Sequence, residues 1–200
     1  MSDFDFIIIG GGAAGFAAAT KASEHGARTA MINDGLPLGG TCVNVGCVPS
    51  KTLLAVGDAS FYAGRPRFDA LRDGHQAAFD FRAAIAEKRR LVAALREANY
   101  TDVLASLRSV ELIEGHARFE GPGAVEVNGR TLTGERFLIA TGSRPAVLPF
   151  PGIEDVGFIT NREAMELDDL PRSIVVVGAG PVGLELGQMF LHFGAQVTVL

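Results

Sequence analysis

The sequence predicts an α/β fold: a Rossmann-like unit with a β-meander insertion, followed by the start of a second such unit. Three observations predict it. A strand, a glycine-rich turn, a small-residue or leucine-rich helix and a second strand occur twice at a fixed offset. Between the copies the pattern changes to a helical stripe and then to short alternating runs bounded by turn residues. The composition, with 48% of the 200 residues hydrophobic and 20% charged, supplies enough apolar surface for a packed core and excludes wholesale disorder.

Sliding the chain by 168 residues lays Ile7, Ile8, Ile9 and Gly10 on Val175, Val176, Val177 and Gly178. The same offset lays Gly12 on Gly180, Gly15 on Gly183, and Gly26-Ala27 on Gly194-Ala195. The first copy predicts strands over 6–10 and 28–33, the second over 173–178 and 196–200. Each copy therefore reads strand–GxGxxG–helix–strand, the pattern of a dinucleotide-binding unit. Gly10 and Gly178 permit the tight turn, Gly12 and Gly180 let a pyrophosphate approach the backbone, and Gly15 and Gly183 let the helix pack on its strand. The helix N-terminus offers its unpaired N–H groups to the phosphates. An acidic residue ~20 positions beyond the glycines should grip the ribose. Asn33 stands there instead, a neutral partner, with Asp34 next in the chain but pointing the other way if the strand alternates. In the second copy the matching position lies beyond Leu200.

Between the repeats, apolar residues at Phe81, Ile85, Leu91, Val92, Leu95 and Val103 predict a helical stripe over 81–107, broken near Asn99-Tyr100. Glu87, Arg89, Arg90, Arg96 and Glu97 lie off the stripe and read as a solvated face. Short strands follow over 111–114, 117–120, 124–127 and 137–140, with Asn128-Gly129 as a hairpin turn. Residues 64–74 read as an exposed loop. The proline- and acid-bearing stretch 144–171 connects to the second repeat.

Net charge is −5, without the basic face of a nucleic-acid binder. The apolar run 7–19 is interrupted by four glycines and is too short for a bilayer, which needs ~20 residues. No basic region precedes it, so no secretory signal is read and a cytoplasmic protein is expected, with neither membrane nor nucleic acid as partner.

The two cysteines, Cys42 and Cys47, fall five positions apart. On an ideal helix five residues rotate about 500°, so the two sulfurs would diverge by ~140° and a disulfide would need a distorted turn. Such a bond is more easily reduced, and its short loop adds little chain-entropy stabilisation. Local chemistry leaves three readings: a redox pair, two of the ligands of a metal site, or two small buried hydrophobes. None of the four histidines stands at ligand spacing from the cysteines.

The run Gly39-Gly40-Thr41-Cys42-Val43-Asn44-Val45-Gly46-Cys47-Val48-Pro49-Ser50-Lys51 resembles the redox-active disulfide motif of the FAD-dependent pyridine nucleotide–disulfide oxidoreductases. Both glycine turns fall where that family places its FAD and nicotinamide sites, and Ala140-Thr141-Gly142-Ser143 resembles its second flavin motif. The likeness covers essentially the whole chain, as the N-terminal part of a longer protein. Thr41 to Lys51, with Leu95-Arg96-Glu97-Ala98-Asn99-Tyr100, is most similar to the branch that reduces mercuric ion. Dihydrolipoyl dehydrogenases and other disulfide reductases are the alternative, and a catalytically incomplete flavin-binding module is the alternative of another class.

The resemblance implies domains over 1–145 (FAD-binding, with the redox pair) and 173–200 (the start of an NAD(P)-binding domain), joined by 146–172. It implies that NADPH or NADH reduces the flavin, which opens a Cys42–Cys47 disulfide, Cys47 facing the flavin and Cys42 exchanging with the acceptor. Mercuric ion held by Cys42 and Cys47 would be substrate, since soft thiolates suit a soft metal. Lys51 would tune the flavin and pair with Glu185 on the second-repeat helix. Gly10, Gly12, Ala13, Ala14 and Gly15 would hold the FAD pyrophosphate, Asn33 and Asp34 the ribose, and Gly40 and Thr41 the pyrophosphate and ribityl side. Ala117 would meet adenine through its backbone, Thr141 and Gly142 would close over the cofactor, and Gly178, Gly180 and Gly183 would hold the nicotinamide dinucleotide. His116 reads as a packed strand-end residue. The full-length protein is expected to be a homodimer acting on a small molecule or metal ion, and the 200-residue chain by itself to be inactive.

Overall fold

A computed structural model describes residues 2–65, 79–147 and 149–200. In chain order the elements are β1 (Phe4–Ile9), α1 (Ala13–Glu24), β2 (Thr29–Asn33), α2 (Gly40–Val45), α3 (Cys47–Ala63) and α4 (Phe81–Arg96). A π-helical turn (Glu97–Thr101) and α5 (Asp102–Ser106) continue α4. Then come β3 (Val110–Glu114), β4 (Arg118–Gly121), β5 (Ala124–Val127), β6 (Arg130–Ile139), α6 (Ile153–Val156), α7 (Asn161–Ala164), β7 (Ser173–Val176), α8 (Pro181–Phe193) and β8 (Gln196–Val199). Of the loop expected over 64–74, residues 66–74 lie outside the described residues. No helix among the described residues is long and apolar enough to cross a membrane.

The chain forms two compact units, Met1–Asn44 with Ala93–Arg144, and Val45–Val92 with Pro145–Leu200. Residues 45–92 pack within the second unit, where Leu53, Phe81, Ala84 and Ile85 share a core with Leu186, Met189, Phe190 and Phe193.

The first unit carries a six-stranded sheet in the order β3-β2-β1-β6-β5-β4. β3, β2, β1 and β6 run parallel, and β4, β5 and β6 pair antiparallel. Every residue of β2 is buried, as expected of an inner parallel strand covered on both faces. The strand expected over 137–140 is the end of the ten-residue β6, whose beginning belongs to the meander and whose end pairs with β1. Asn128 and Gly129 both have positive φ, 53° and 76°, the type I′ hairpin that their sequence predicts.

In the second unit β7 and β8 pair in parallel beside α8. α4 buries Phe81, Ala84, Ile85, Lys88 and Val92. Leu91, expected on that stripe, is 41% exposed. At 100° per residue the positions 81, 85, 88 and 92 align while 91 falls a quarter-turn away, so the buried face includes a lysine instead. The stripe breaks where expected, at the π-helical turn.

Candidate functional site

β1 ends in the first glycine turn at the point where its neighbours in the sheet are β2 on one side and β6 on the other, the place where open α/β sheets bind ligands. Gly10 has φ +120°, and a Cβ there would lie 2.2 Å from the Ala140 carbonyl oxygen. The end of β6 fixes that carbonyl, since Ala140 N–H donates to Ile9 O at 2.8 Å. A Cβ at Gly15 would lie 2.0 Å from Gly10 O, so only glycine lets α1 close on the turn. Gly12 bridges to Gly39, Gly39 N–H donates to Gly11 O at 2.8 Å, and a Cβ at Gly40 would meet Gly12 Cα at 2.8 Å. The cradle is thus bare backbone from two glycine pairs. α1 opens with exposed Ala13 and Ala14, has no acid in its first turn and receives no side-chain cap from Gly12. A pyrophosphate fits those N–H groups.

At the end of β2, Asn33 is 6% exposed and its Nδ2 donates to Leu36 O and to Glu114 Oε2, each at 3.1 Å. Asp34 is exposed, and its Oδ2 lies 2.8 Å from His116 Nδ1. The expectation that His116 packs at a strand end is corrected: it is exposed and paired, because it follows Gly115 outside the strand. The expected ribose group Asp34 is committed to that histidine, and Asn33 has its amide hydrogens committed as well. Ala117 is half-buried against the Ile7–Val125 core. Thr41 on α2, and Thr141 and Gly142 in the loop after β6, are exposed.

Cys42 lies on α2 and Cys47 opens α3, both exposed. Pro49 has no N–H to bond Val45 O, so α2 cannot continue through it. The helix restarts after Gly46 (φ −130°, ψ −115°), with Ser50 N–H donating to Gly46 O and Pro49 in the first turn, where no donor is needed. The helix thus breaks between Cys42 and Cys47.

In the second unit Lys51 Nζ lies 2.5 Å from Glu185 Oε1, and Asp58 Oδ1 lies 2.8 Å from His192 Nδ1. The two ties are seven residues apart on both helices, so α3 and α8 run parallel, two turns in step. Their N-termini, bearing Cys47 and the second glycine turn, therefore share one end of the pair. Gly57 allows the approach, its would-be Cβ only 3.3 Å from His192 Cβ. The second turn repeats the first in conformation: Gly178 has φ +112°, and a Cβ at Gly183 would lie 2.1 Å from Gly178 O. A Cβ at Gly178 would meet nothing within 4 Å among the described residues.

A model of the family described as pyridine nucleotide-disulphide oxidoreductase matches residues 4–200. The chain belongs to this family. It is 42% identical to the mercuric reductase of Staphylococcus aureus over 198 residues, covering 99% of this chain and 36% of that protein. It is also 42% identical to the mercuric reductase of Streptomyces lividans over 202 residues, 98% of this chain and 42% of that one. Dihydrolipoyl dehydrogenase 3 of Pseudomonas aeruginosa is 38% identical over 205 residues, 100% of this chain and 44% of that one. The structure of the HOCl-induced flavoprotein disulfide reductase RclA from Escherichia coli superposes with TM-score 0.81 at 31% identity, over 98% of this chain and 41% of that one. The chain thus spans less than half the length of these relatives. Membership implies FAD and NAD(P)H as cofactors.

Three sets of side-chain contacts in the two units were not read from the sequence. Asn44 is buried, donates to Pro37 O, Leu38 O and Gly40 O, and accepts from Arg96 Nη1 at 3.1 Å, pinning the loop that carries Gly39 and Gly40. Tyr100, set by the π-helical turn, packs edge-on against Phe16 and backs Gly39, whose Cβ would lie 2.9 Å from the ring. Lys88, buried in α4, pairs with Glu166, which also accepts from Arg89 Nε at 2.7 Å. Burial pushes the Lys88 ammonium below its ordinary range, against the opposing pull of Glu166. Burial raises the Glu166 carboxyl, but the bonds from Lys88 and Arg89 outweigh it and leave it lowered.

Proposed function

We propose that this chain belongs to an NAD(P)H-dependent flavoprotein whose Cys42/Cys47 pair passes electrons to mercuric ion. The observation that carries the proposal is Cys47 exposed at the first position of a 17-residue helix, one turn before a lysine held by Glu185. A helix N-terminus favours an anionic group, and a thiolate is the form that exchanges with disulfides and binds soft metals. Identity of about 42% to mercuric reductases supports the choice of acceptor.

FAD, when bound, would supply two-electron transfer between the nicotinamide and the cysteine pair. Gly10, Gly12, Ala13, Ala14, Gly15 and Gly40 would hold its pyrophosphate, with Thr41, Ala117, Thr141 and Gly142 along the rest of it. Gly178, Gly180 and Gly183 would hold the pyrophosphate of NAD(P)H. Cys42 and Cys47 would each lose a proton on taking up mercuric ion. Two electrons originating in NAD(P)H, relayed by the flavin when bound, would reduce the held ion to the element and leave Cys42 and Cys47 as thiolates able to take up the next ion. Glu185 would keep the Lys51 ammonium in place beside the redox helix.

The test uses the full-length protein loaded with FAD. Mercuric ion supplied with NADPH should leave as volatile mercury, and Cys42→Ser or Cys47→Ser should abolish the release. Reduction of NAD+ by dihydrolipoamide, without mercury release, would instead establish the dihydrolipoyl dehydrogenase reading that the 38% identity to that relative favours.

A further inference from the structure

We propose that Glu114 is a positioning residue that fixes the orientation of the Asn33 carboxamide, so that its carbonyl oxygen rather than its NH2 meets the adenosine ribose of FAD. The inference rests on the reading of the first glycine turn as an FAD site and concerns how this chain replaces the acid expected there.

A carboxamide is nearly symmetric in shape and opposite in chemistry at its two ends. Asparagine can stand in for a ribose-gripping carboxylate only if its acceptor end is the one presented. Both hydrogens of Asn33 Nδ2 are engaged, by Leu36 O and Glu114 Oε2. Each partner is a pure acceptor when Glu114 is ionised, so a flipped amide would set its oxygen against two other oxygens. The lock leaves Oδ1 turned to the glycine turn, where a Cβ on Gly11 would lie 2.6 Å from it. Glu114 is itself fixed. It is the register partner of Asn33 across β2 and β3, Gly115 N–H donates to Asn33 O at 2.9 Å, and Asn128 Nδ2 donates to Glu114 O at 2.7 Å. The carboxylate of this corner has moved one strand sideways and acts through the amide. Asp34, engaged with His116, is not needed as the acceptor.

Two consequences distinguish this device from simple packing. Restoring the expected acid by Asn33→Asp sets two carboxylates against each other and should weaken FAD binding. Adding Glu114→Gln removes one of the two charges and supplies a donor to the new carboxylate, so it should restore binding in part, Leu36 O still facing the carboxylate. The experiment measures FAD affinity by flavin fluorescence on the purified full-length apoprotein, and competition by ADP and by its 2′,3′-dideoxy counterpart. The wild-type protein should prefer ADP by about tenfold, the worth of one or two hydrogen bonds. Glu114→Leu, which offers the amide no acceptor, should reduce that preference to two- or threefold, and Asn33→Leu should abolish it, with unchanged helical content by circular dichroism. The Asn33→Asp/Glu114→Gln pair should recover part of it, because Leu36 O still faces the new carboxylate. Retention of the full preference in Glu114→Leu or in Asn33→Leu, or failure of the double variant to exceed Asn33→Asp, would overturn the proposal. A wild-type chain that binds FAD but does not distinguish the two nucleotides overturns this inference alone. One that binds no FAD overturns the flavin reading and the inference with it.

Discussion

Replacing Glu166 by glutamine should destabilise the second unit by about 2–3 kcal/mol. The Lys88 side chain is 1% exposed, enclosed on α4 by a face that includes Phe81, Ala84, Ile85 and Val92, and Glu166 is its bonded counter-ion. Breaking a buried pair by removing one partner costs ~3–5 kcal/mol, because the remaining charge is left in a poor solvent. A smaller figure of about 2–3 kcal/mol applies here, since the Glu166 side chain is 46% exposed and water reaches its side of the pair. Urea unfolding followed by circular dichroism is the assay. With a slope of ~2 kcal/mol/M the midpoint should fall by roughly 1–1.5 M. Lys88→Met removes the stranded charge and fills the same space, so Lys88→Met/Glu166→Gln should recover most of the loss. Its pH dependence has a definite sign. Burial holds Lys88 below its ordinary value of 10.5, so the folded state bears the cost of a buried ammonium at low pH. That cost is relieved as pH rises from the folded value toward 10.5, where the unfolded chain binds the extra proton. Glu166 works oppositely: its lowered carboxyl contributes stability above its ordinary 4.5 that is lost as pH falls through the folded value. A loss below about 0.5 kcal/mol in Glu166→Gln, or a double variant no more stable than that single one, would refute the reasoning.

Gly10→Ala and Gly178→Ala should differ although their φ values are within a few degrees. Both incur positive-φ strain of ~1–3 kcal/mol, but only at Gly10 does the new Cβ strike a backbone oxygen, so its melting temperature should fall further and flavin absorbance should be lost. Glu185→Gln should cost under ~1 kcal/mol in a thermal melt, since the pair with Lys51 is half-exposed, yet should lower full-length turnover at least about tenfold, as a lost charge contact of ~1.4 kcal/mol would. Asn128→Val, which forces a β-branched residue to φ 53°, should destabilise by about 1–2 kcal/mol in urea, whereas Asn128→Gly should be milder despite losing the bond to Glu114 O.

The repeat, the parallel strands, the hairpin at Asn128-Gly129 and the cysteine pair were legible in the sequence because each is a local demand. A positive φ needs glycine or asparagine, a buried parallel strand needs an unbroken apolar run, and a proline four residues after Val45 needs a helix to stop. The roles of Gly10 and Gly15 were legible for the same reason. What escaped was pairing between distant segments. Lys88 drew no reading from the sequence, because its burial depends on Glu166, 78 residues away. His116 read as packed because nothing nearby in the chain announces its pairing with Asp34. The packing of Leu53 and Phe81 against Phe190 and Phe193 likewise joins segments more than 100 residues apart. Chain neighbours constrain backbone angles and periodicity, and those the sequence determined. Which charge meets which, and which face a helix buries, is decided only when folding brings remote residues within a few ångströms, where desolvation and hydrogen bonding select among partners the linear order leaves equivalent.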